Sequence, residues 1–474
     1  MSFTKPRYLT LGVLILLTLV LRFPSFFEPY WYGDELIRLL VAHEWFAGKT
    51  LYLEIFDNSP PLLYLIFGIA KSIFALKILA SIWVAAAVVI FYFLTSDLAQ
   101  NAKLPKVYAY VATIIFIFLT STPILEGNIA SAEIFALTPA IAGIYLVWKS
   151  KNTTQISQML PAGIFLAVAT LIRIQAVTDL ATAALFLLIL TNFRSFFALV
   201  STFTLVWLLT FSVFIETSNW QSFFDSVFLG NFDYVGFANQ LIIPFGLILP
   251  KIFGLILAVV ILSKVQKFLT NSDFLIILWL ILSFFGALIS GRSYAHYFLQ
   301  ATPAVSLLLV QITQFKLRSL THPIGIFSII TIFLILTIFH SRPFSYYKNF
   351  FNFFSNRESF VAWFDPRVIQ SEKIANLITE KTTPNDKILV LGNAPEIYLM
   401  SKRRPLGKYV VSYHLNFQPD ARAETLANFS KSQPKIIVVD AEGKRDFPQL
   451  YELLPITYQL TAQVIKAEIW ERKF

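Results

Sequence analysis

The sequence contains no cysteine, which excludes disulfide bonds, thiolate catalysis and cysteine-ligated zinc. It has only five histidines and no H-E-x-x-H motif, so a histidine zinc site has no support either. Neither a G-x-G-x-x-G loop nor a Walker loop occurs. The sequence therefore lacks the common signatures of nucleotide, zinc and redox sites.

Charge is also scarce. Only 14% of the 474 residues are charged, against about 25% in a typical soluble domain, while 56% are hydrophobic and 48 are Phe. The net charge of +10 comes from Lys and Arg scattered as ones and twos between apolar runs, without a basic face that nucleic acid would need. We therefore predict a polytopic α-helical membrane protein with no nucleic-acid partner.

The apolar runs predict where the chain crosses the membrane, since about 20 apolar residues cross a hydrocarbon core of about 30 Å. The first run follows a basic N-terminus and has no small-residue cleavage site after it, which predicts a retained signal anchor. We predict eleven crossings, near residues 8–24, 78–95, 107–122, 132–148, 159–175, 177–193, 196–215, 242–262, 273–290, 296–313 and 323–340.

The apolar segment 61–75 is short, and whether it crosses decides the orientation of everything after it. If it does not cross, one side collects eleven Lys and Arg residues and the other side seven. The seven are Arg22, Arg38, Lys49, Lys71, Lys77, Arg173 and Arg292. The positive-inside rule then favours a juxtamembrane or re-entrant helix at 61–75. We predict a plasma-membrane protein with a cytoplasmic N-terminus and an extracytoplasmic C-terminus.

Charge returns after the last predicted span. The runs Lys387–Leu391, Lys408–Tyr413 and Lys435–Asp440 are typical of short strands, and helical patterns lie near 367–381, 395–403 and 421–432. This alternation predicts a small extracytoplasmic α/β domain over residues 342–474, following a transmembrane domain over 1–341. We expect this second domain to be accessory rather than catalytic.

The loop between residues 32 and 61 concentrates acidic side chains. Asp34 is placed to cap a helix that runs from Glu35 to Ala47 and ends at Gly48, and Asp57 precedes a Pro-Pro pair. One interpretation is a solvated helix in which Asp34 or Glu35 pairs with Arg38. The other is that these carboxylates form part of a site.

Polar residues near the predicted outer ends of other helices favour a site, because such residues are costly in a membrane. Each has a plain alternative: the arginines can snorkel, the glutamate at 133 can cap a helix or pair with an arginine, and the histidine can pack in the core. The groups are Glu126 with Asn128 and Glu133, Arg173 with Gln175, Asp225 with Asn231 and Asp233, and Arg292 with His296 and Tyr297.

Five motifs in this order resemble those of the GT-C membrane glycosyltransferases, specifically glycosyltransferase family 39, which includes protein O-mannosyltransferases and is similar to the aminoarabinose transferases. The motifs are GDE, FDNSPPLLYLIFG, NIASAEIF, LIRIQAV and GRSYAHYFLQATPAVSLL. The resemblance covers about residues 1–340, and PNDKILVLGNAPEIYLMSKRRP in the tail resembles the C-terminal part of many relatives.

The resemblance implies a hexosyltransferase of the cell envelope, mannosyltransferase-like, that moves a sugar from a polyprenyl phosphate to a hydroxyl on a lipid, glycan or protein acceptor. By motif position, Asp34 matches the first-loop catalytic acid, with Glu35 beside it, Asp57 the acid before the proline and Glu133 the second acidic motif. Many relatives carry Lys where this chain has Ser59, which leaves Arg173 and Arg292 as candidates for phosphate binding.

The required chemistry agrees with these residues. A carboxylate can take the acceptor proton, guanidinium groups can stabilise the departing phosphate, and a single displacement inverts the anomeric carbon. Paired carboxylates can also hold a divalent cation, but we assign no metal and no cofactor. The alternatives are a transporter or lipid flippase, with the same charges lining a path, and a membrane scaffold whose outer domain binds a partner.

Overall fold

The computed structural model describes residues 5–151, 156–190, 192–231, 248–292, 294–316, 341–418 and 420–473. Most of them are helical, and one mixed sheet lies near the C-terminus. The helices before residue 320 are α1 Lys5–Arg22, α2 Gly33–Phe46, α3 Pro61–Ile69, α4 Ile73–Asn101, α5 Val107–Ser121, α6 Ala132–Ser150, α7 Leu160–Ile172, α8 Val177–Ile189, α9 Phe193–Glu216, α10 Trp220–Phe224, α11 Ile248–Val265, α12 Asn271–Leu288 and α13 Thr302–Lys316.

Within the described residues, five helices are long and apolar enough to cross a membrane. These spans are Tyr8–Phe27, Ile73–Asn101, Ala132–Ser150, Phe193–Glu216 and Asn271–Leu288. Three shorter apolar helical stretches, Val107–Ser121, Ile156–Ile172 and Ile174–Ile189, coincide with other predicted crossings. The predicted crossing at 323–340 and the first residues of the one at 242–262 lie outside the described residues. The chain is a multi-pass membrane protein.

The segment 61–75 contains the short helix α3, as predicted. Pro60 is extended (φ −64°, ψ 157°) and Pro61 occupies the first turn, so the proline pair sets where the helix begins. α3 has nine residues, and at 1.5 Å per residue it is about 14 Å long. That is about half of the thickness of a hydrocarbon core, so α3 alone is too short to cross.

Helix α2 begins at Gly33, two residues earlier than the sequence indicated. Tyr32, not Asp34, occupies the N-cap position, and its side chain makes no capping hydrogen bond. Asp34 and Glu35 instead lie in the first turn, where carboxylates interact favourably with the helix dipole. The capping role expected for Asp34 is therefore wrong, and its carboxylate is available for other contacts.

A buried ion-pair cluster fixes α2 within the bundle. Lys77 Nζ, on α4, lies 2.9 Å from Glu28 Oε2 and 2.7 Å from Glu35 Oε1. Arg22, also buried, donates from Nε to Ser81 Oγ at 2.9 Å. The sequence places Arg22 and Lys77 among the seven basic residues on one side of the membrane. The structure corrects this count, because both side chains are buried inside the helix bundle. Because a buried charge is costly unless it is paired, the contacts of Lys77 with Glu28 and Glu35 restrain the segment that contains α2.

The C-terminal sheet has five strands in the order β2-β1-β3-β5-β4, in which β1 pairs in parallel with β2 and β3, and β5 pairs antiparallel with β3 and β4. The strands are β1 Lys387–Leu391, β2 Arg404–Pro405, β3 Ile436–Val439, β4 Tyr458–Val464 and β5 Ala467–Arg472. The helices are α14 Ser341–Phe350, α15 Asn352–Ser355, α16 Arg357–Phe364, α17 Arg367–Lys381, α18 Glu396–Ser401, α19 His414–Phe417, α20 Ala421–Ser432, α21 Ala441–Asp446 and α22 Pro448–Thr457.

Two of the three predicted strands are confirmed and one is wrong. β1 and β3 are buried along almost their whole length, as expected for central parallel strands. The predicted strand 408–413 is a turn-rich loop, and the neighbour of β1 is the two-residue strand β2. The antiparallel hairpin of β4 and β5 was not predicted.

The C-terminal region docks on the first loop. Arg404 binds the carboxylate of Glu44, on α2, through Nε at 3.1 Å and Nη2 at 3.0 Å. Lys49 also binds Glu44, at 3.0 Å, and donates to the Pro405 carbonyl at 3.4 Å. Since Glu44 is buried, this interface fixes the C-terminal region against the end of α2.

Candidate active site

An open cavity lies where the first loop, residues 32–61, meets the starts and ends of the membrane helices. It is lined by charged and polar residues from α2, the loop before α3, α6, the end of α7 and the C-terminal region. The lining residues are Asp34, Ile37, Arg38, Asp57, Asn58, Ser59, Pro60, Ala132, Glu133, Ile172, Arg173, Ile174, Gln175, Asn231, Tyr297 and Tyr413.

Asp34 and Arg38 form an ion pair one helical turn apart on α2. Arg38 Nη2 lies 3.1 Å from Asp34 Oδ2. The Asp34 side chain keeps 42% of its exposure, compared with 4% for Glu133. Among these cavity carboxylates, Asp34 is therefore the more accessible to a second molecule. The sequence offered an ion pair between Asp34 and Arg38 as the alternative to a functional site. The structure shows that Asp34 forms this ion pair and also lines the cavity, so the two interpretations do not exclude each other.

Asp57 is buried and held by neighbouring hydroxyl groups. Tyr64 Oη donates to Asp57 Oδ2 at 2.6 Å, and Ser59 Oγ donates to the same atom at 3.1 Å. Tyr52 Oη in turn donates to the Ser59 carbonyl at 2.8 Å. Ser59 thus orients a carboxylate in this structure.

Glu133 and Arg173 form a second ion pair in the cavity. Arg173 Nε lies 3.0 Å from Glu133 Oε1, and both side chains are almost fully buried. Arg173 Nη1 donates to Gln300 Oε1 at 3.0 Å, and the guanidinium lies 5.3 Å from the Tyr297 ring centre. Glu133 Oε2 is buried and has no hydrogen-bond partner among the described residues. These contacts fix Arg173 in the cavity wall rather than in a snorkelling conformation.

Glu126, which is partly buried, and His296, which is buried, form a pair next to Glu133. His296 Nδ1 lies 2.6 Å from Glu126 Oε2, and Tyr32 Oη donates to the same carboxylate oxygen at 3.3 Å. His296 Nε2 lies 4.0 Å from Glu133 Oε1. Glu126 and His296 do not line the cavity, but they connect to it through Glu133.

The remaining predicted site residues divide between the cavity and the core. Gln175 and Tyr297 line the cavity. Arg292 interacts electrostatically with Tyr413 but is not a lining residue. Glu35 and Asn128 lie elsewhere. Glu35 is paired with Lys77, and Asn128 Nδ2 donates to Glu28 Oε1 at 2.8 Å.

Two polar residues of the third sequence group fall within the described residues. Asn231 lines the cavity, and its Nδ2 donates to the Asn58 carbonyl at 3.0 Å. Asp225 is exposed and does not line the cavity, and Asp233 lies outside the described residues.

Sequence reasoning did not assign Arg38, Tyr413 or Asp179 to a site. Arg38 was considered only as an ion-pair partner. Asp179, buried on α8, accepts from Trp279 Nε1 at 2.7 Å and from Gln300 Nε2 at 2.8 Å, and so supports the glutamine that binds Arg173. A single Asp in an apolar span was the available signal for Asp179.

The described residues contain no group of three or more His, Asp and Glu side chains arranged to hold a metal ion. Four charged groups of the cavity form two carboxylate–guanidinium pairs, Asp34 with Arg38 and Glu133 with Arg173. Such an arrangement offers a carboxylate that can accept a proton and fixed cations that can bind an anion.

Comparison of the whole structure with solved structures identifies the fold. ArnT from Cupriavidus metallidurans, in a crystal structure bound to undecaprenyl phosphate, superimposes with a TM-score of 0.62 at 13% identity, covering 99% of this chain and 98% of that one. The chain has the ArnT fold. The apo structure of ArnT from the same organism gives a TM-score of 0.59 at 12% identity, with 97% of each chain covered.

The predicted fold class, a helical membrane fold with a small C-terminal α/β domain, is confirmed. No model of a known protein family matches the sequence. A sequence comparison with curated proteins also gives no match.

Proposed function

We propose that the protein is a glycosyltransferase that uses a polyprenyl-phosphate sugar and transfers the sugar, with inversion, to an acceptor hydroxyl outside the cytoplasm. The observation that carries this proposal is the cavity in which the accessible carboxylate of Asp34 shares one space with the buried guanidinium of Arg173. The fold of ArnT, whose structure contains undecaprenyl phosphate, supports the same donor class.

Asp34 is the proposed general base. Its carboxylate takes the proton of the acceptor hydroxyl as the hydroxyl oxygen forms a bond to the anomeric carbon. The bond between that carbon and the phosphate oxygen breaks, and its electron pair leaves with the lipid phosphate. Arg38 Nη2, 3.1 Å from Asp34 Oδ2, holds the carboxylate in the cavity wall.

Arg173 is the proposed stabiliser of the phosphate. It lies at the C-terminal end of α7, where a donor whose tail remains in the bilayer would present its phosphate. Its Nε and Nη1 contacts to Glu133 and Gln300 fix the guanidinium before a ligand arrives. Because the guanidinium is already in place, less free energy is spent on reorganisation when negative charge develops on the leaving phosphate. Arg292, near Tyr413, is the second candidate cation.

The decisive experiment is a transfer assay with purified protein, radiolabelled undecaprenyl-phosphate hexoses, beginning with mannose, and a panel of lipid, glycan and peptide acceptors. Binding of undecaprenyl phosphate is measured in parallel, with undecaprenol as the matched ligand that lacks the phosphate. We expect transfer to at least one acceptor class and tighter binding of the phosphate. Equal binding of the two lipids without transfer would contradict the proposal, and lipid movement across vesicles without transfer would favour a transporter.

A further inference from the structure

A side chain of the C-terminal region reaches the cavity. Tyr413 lies at the end of the loop between β2 and α19 and lines the cavity together with Asp34 and Asp57. It interacts electrostatically with both carboxylates and with Arg38, all of which belong to the first loop. Two parts of the chain that are more than 350 residues apart therefore form this part of the cavity wall together.

The loop that carries Tyr413 is fixed at both ends. Asn393 Oδ1 accepts from the Tyr413 backbone N–H at 3.0 Å, which ties the loop to the sheet. The Phe56 N–H donates to the Lys408 carbonyl at 3.1 Å, and the Phe56 ring packs edge-on against His414 with 5.0 Å between ring centres. Phe56 directly precedes Asp57, so this contact joins the tyrosine loop to a cavity carboxylate.

The chemistry of the phenol differs from that of the arginines. Burial, followed by the nearby Asp34 and Asp57 carboxylates, raises the pKa of Tyr413 well above its usual value of 10. A tyrosine hydroxyl is protonated at neutral pH, and it can donate a hydrogen bond to an uncharged oxygen. Arg173, by contrast, is a permanent cation at the end of a membrane helix and suits the lipid phosphate.

We infer that Tyr413 positions the acceptor hydroxyl at Asp34, so that the C-terminal domain is part of the substrate site. This inference rests on the proposed function, because it assigns a step of that reaction. It replaces the expectation that the C-terminal domain is only accessory. The docking contact between Arg404 and Glu44 then acts to keep the site complete.

The first test compares Tyr413→Phe with Tyr451→Phe in the assay described above. Tyr451, in the same domain, donates to Glu468 Oε2 at 3.2 Å and does not line the cavity. Loss of one hydrogen bond corresponds to about a three- to tenfold rise in the acceptor KM. We expect this rise for Tyr413→Phe, with the donor KM and the affinity for undecaprenyl phosphate within about twofold of wild type, and neither change for Tyr451→Phe.

The second test does not depend on turnover by the variant. Because the chain has no cysteine, Tyr413→Cys introduces a unique thiol whose maleimide reaction can be followed with and without the acceptor that the transfer assay identifies. We expect the acceptor to slow this reaction. Leu453→Cys, at a position 41% exposed on the same domain, should react at one rate under both conditions.

The outcomes separate the two claims. A wild-type protein that transfers sugar, together with an unchanged acceptor KM in Tyr413→Phe and unprotected labelling of Tyr413→Cys, would overturn the inference and leave the proposed function standing. A wild-type protein that neither transfers sugar nor binds undecaprenyl phosphate would overturn both.

Discussion

Replacing Arg173 tests whether its buried ion pair with Glu133 stabilises the fold as well as forming part of the proposed donor site. Arg173→Ala removes the contact to Glu133 Oε1 and leaves a carboxylate that is 4% exposed without its cation. Removing one partner of a buried pair costs about 3 to 5 kcal/mol. We therefore expect Arg173→Ala to unfold at a clearly lower temperature than wild type. The double variant Arg173→Gln with Glu133→Gln should lose less stability, because neither charge is left unpaired.

Stability and donor binding are measured on the same preparations. Thermal unfolding in detergent is followed by tryptophan fluorescence, and the affinity for undecaprenyl phosphate is measured for each variant that folds. Arg173→Lys keeps the charge but loses the forked geometry, so it should fold and bind the lipid more weakly, by about 1.5 to 3 kcal/mol for a charge-assisted contact. Lys267→Ala, on the short turn Gln266–Phe268, is the control.

Two results would refute this reasoning. If Arg173→Ala unfolds at the same temperature as Lys267→Ala, the pair with Glu133 does not stabilise the fold. If Arg173→Lys and the double variant fold and bind undecaprenyl phosphate as wild type does, Arg173 is not a phosphate contact.

Two further predictions concern topology and pH. Reporter fusions should report the cytoplasm after Lys103, Lys151, Lys267 and Lys316, and the outside after Gly48, Asn128 and Phe474; an outside signal after Lys151 would mean that 61–75 crosses. Burial raises the pKa of Glu396 to about 7, so its contribution to stability is present below pH 4.5 and is lost as pH rises through 7. Glu396→Gln should therefore be more stable than wild type at pH 8.5, by up to about 3 kcal/mol. The unfolding temperatures of the two proteins should approach each other at pH 4.5. The same difference in unfolding temperature at both pH values would contradict this prediction.

The membrane part of the fold was predictable because the bilayer constrains the sequence strongly. A run such as residues 73–101 has to be helical in lipid, and a nine-residue helix after Pro60 and Pro61 is too short to cross. The free-energy cost of placing a charge within a membrane identified Arg173 and Glu133 in advance, because buried charges in a membrane protein need partners or a function. What spacing could not show is that these two residues bind each other.

The C-terminal domain was less predictable because strand propensity depends on packing. Residues 408–413 include Tyr409, Val410 and Val411, which favour strands. Their loop is instead held by the Phe56 N–H and by a hydrogen bond from Ser412 N to the Gly392 carbonyl at 3.0 Å. β4 is mostly exposed and polar, so it carried little hydrophobic signal. Tyr413 was missed for the same reason: its place in the cavity follows from docking between distant segments, which no local pattern records.

The transfer rate of Asp34→Asn tests the central claim most directly. Asn keeps the size of the side chain, and loss of a partly exposed ion pair with Arg38 costs about 0 to 1 kcal/mol, so the variant should insert and fold. An amide cannot take the acceptor proton, and general-base catalysis contributes about 10² to 10⁴-fold in rate. We predict that transfer falls by at least about 100-fold while Glu35→Gln, whose side chain lies outside the cavity, has a milder effect. If Asp34→Asn keeps at least about half of the wild-type rate, Asp34 is not the base, and the mechanism proposed for this cavity is wrong.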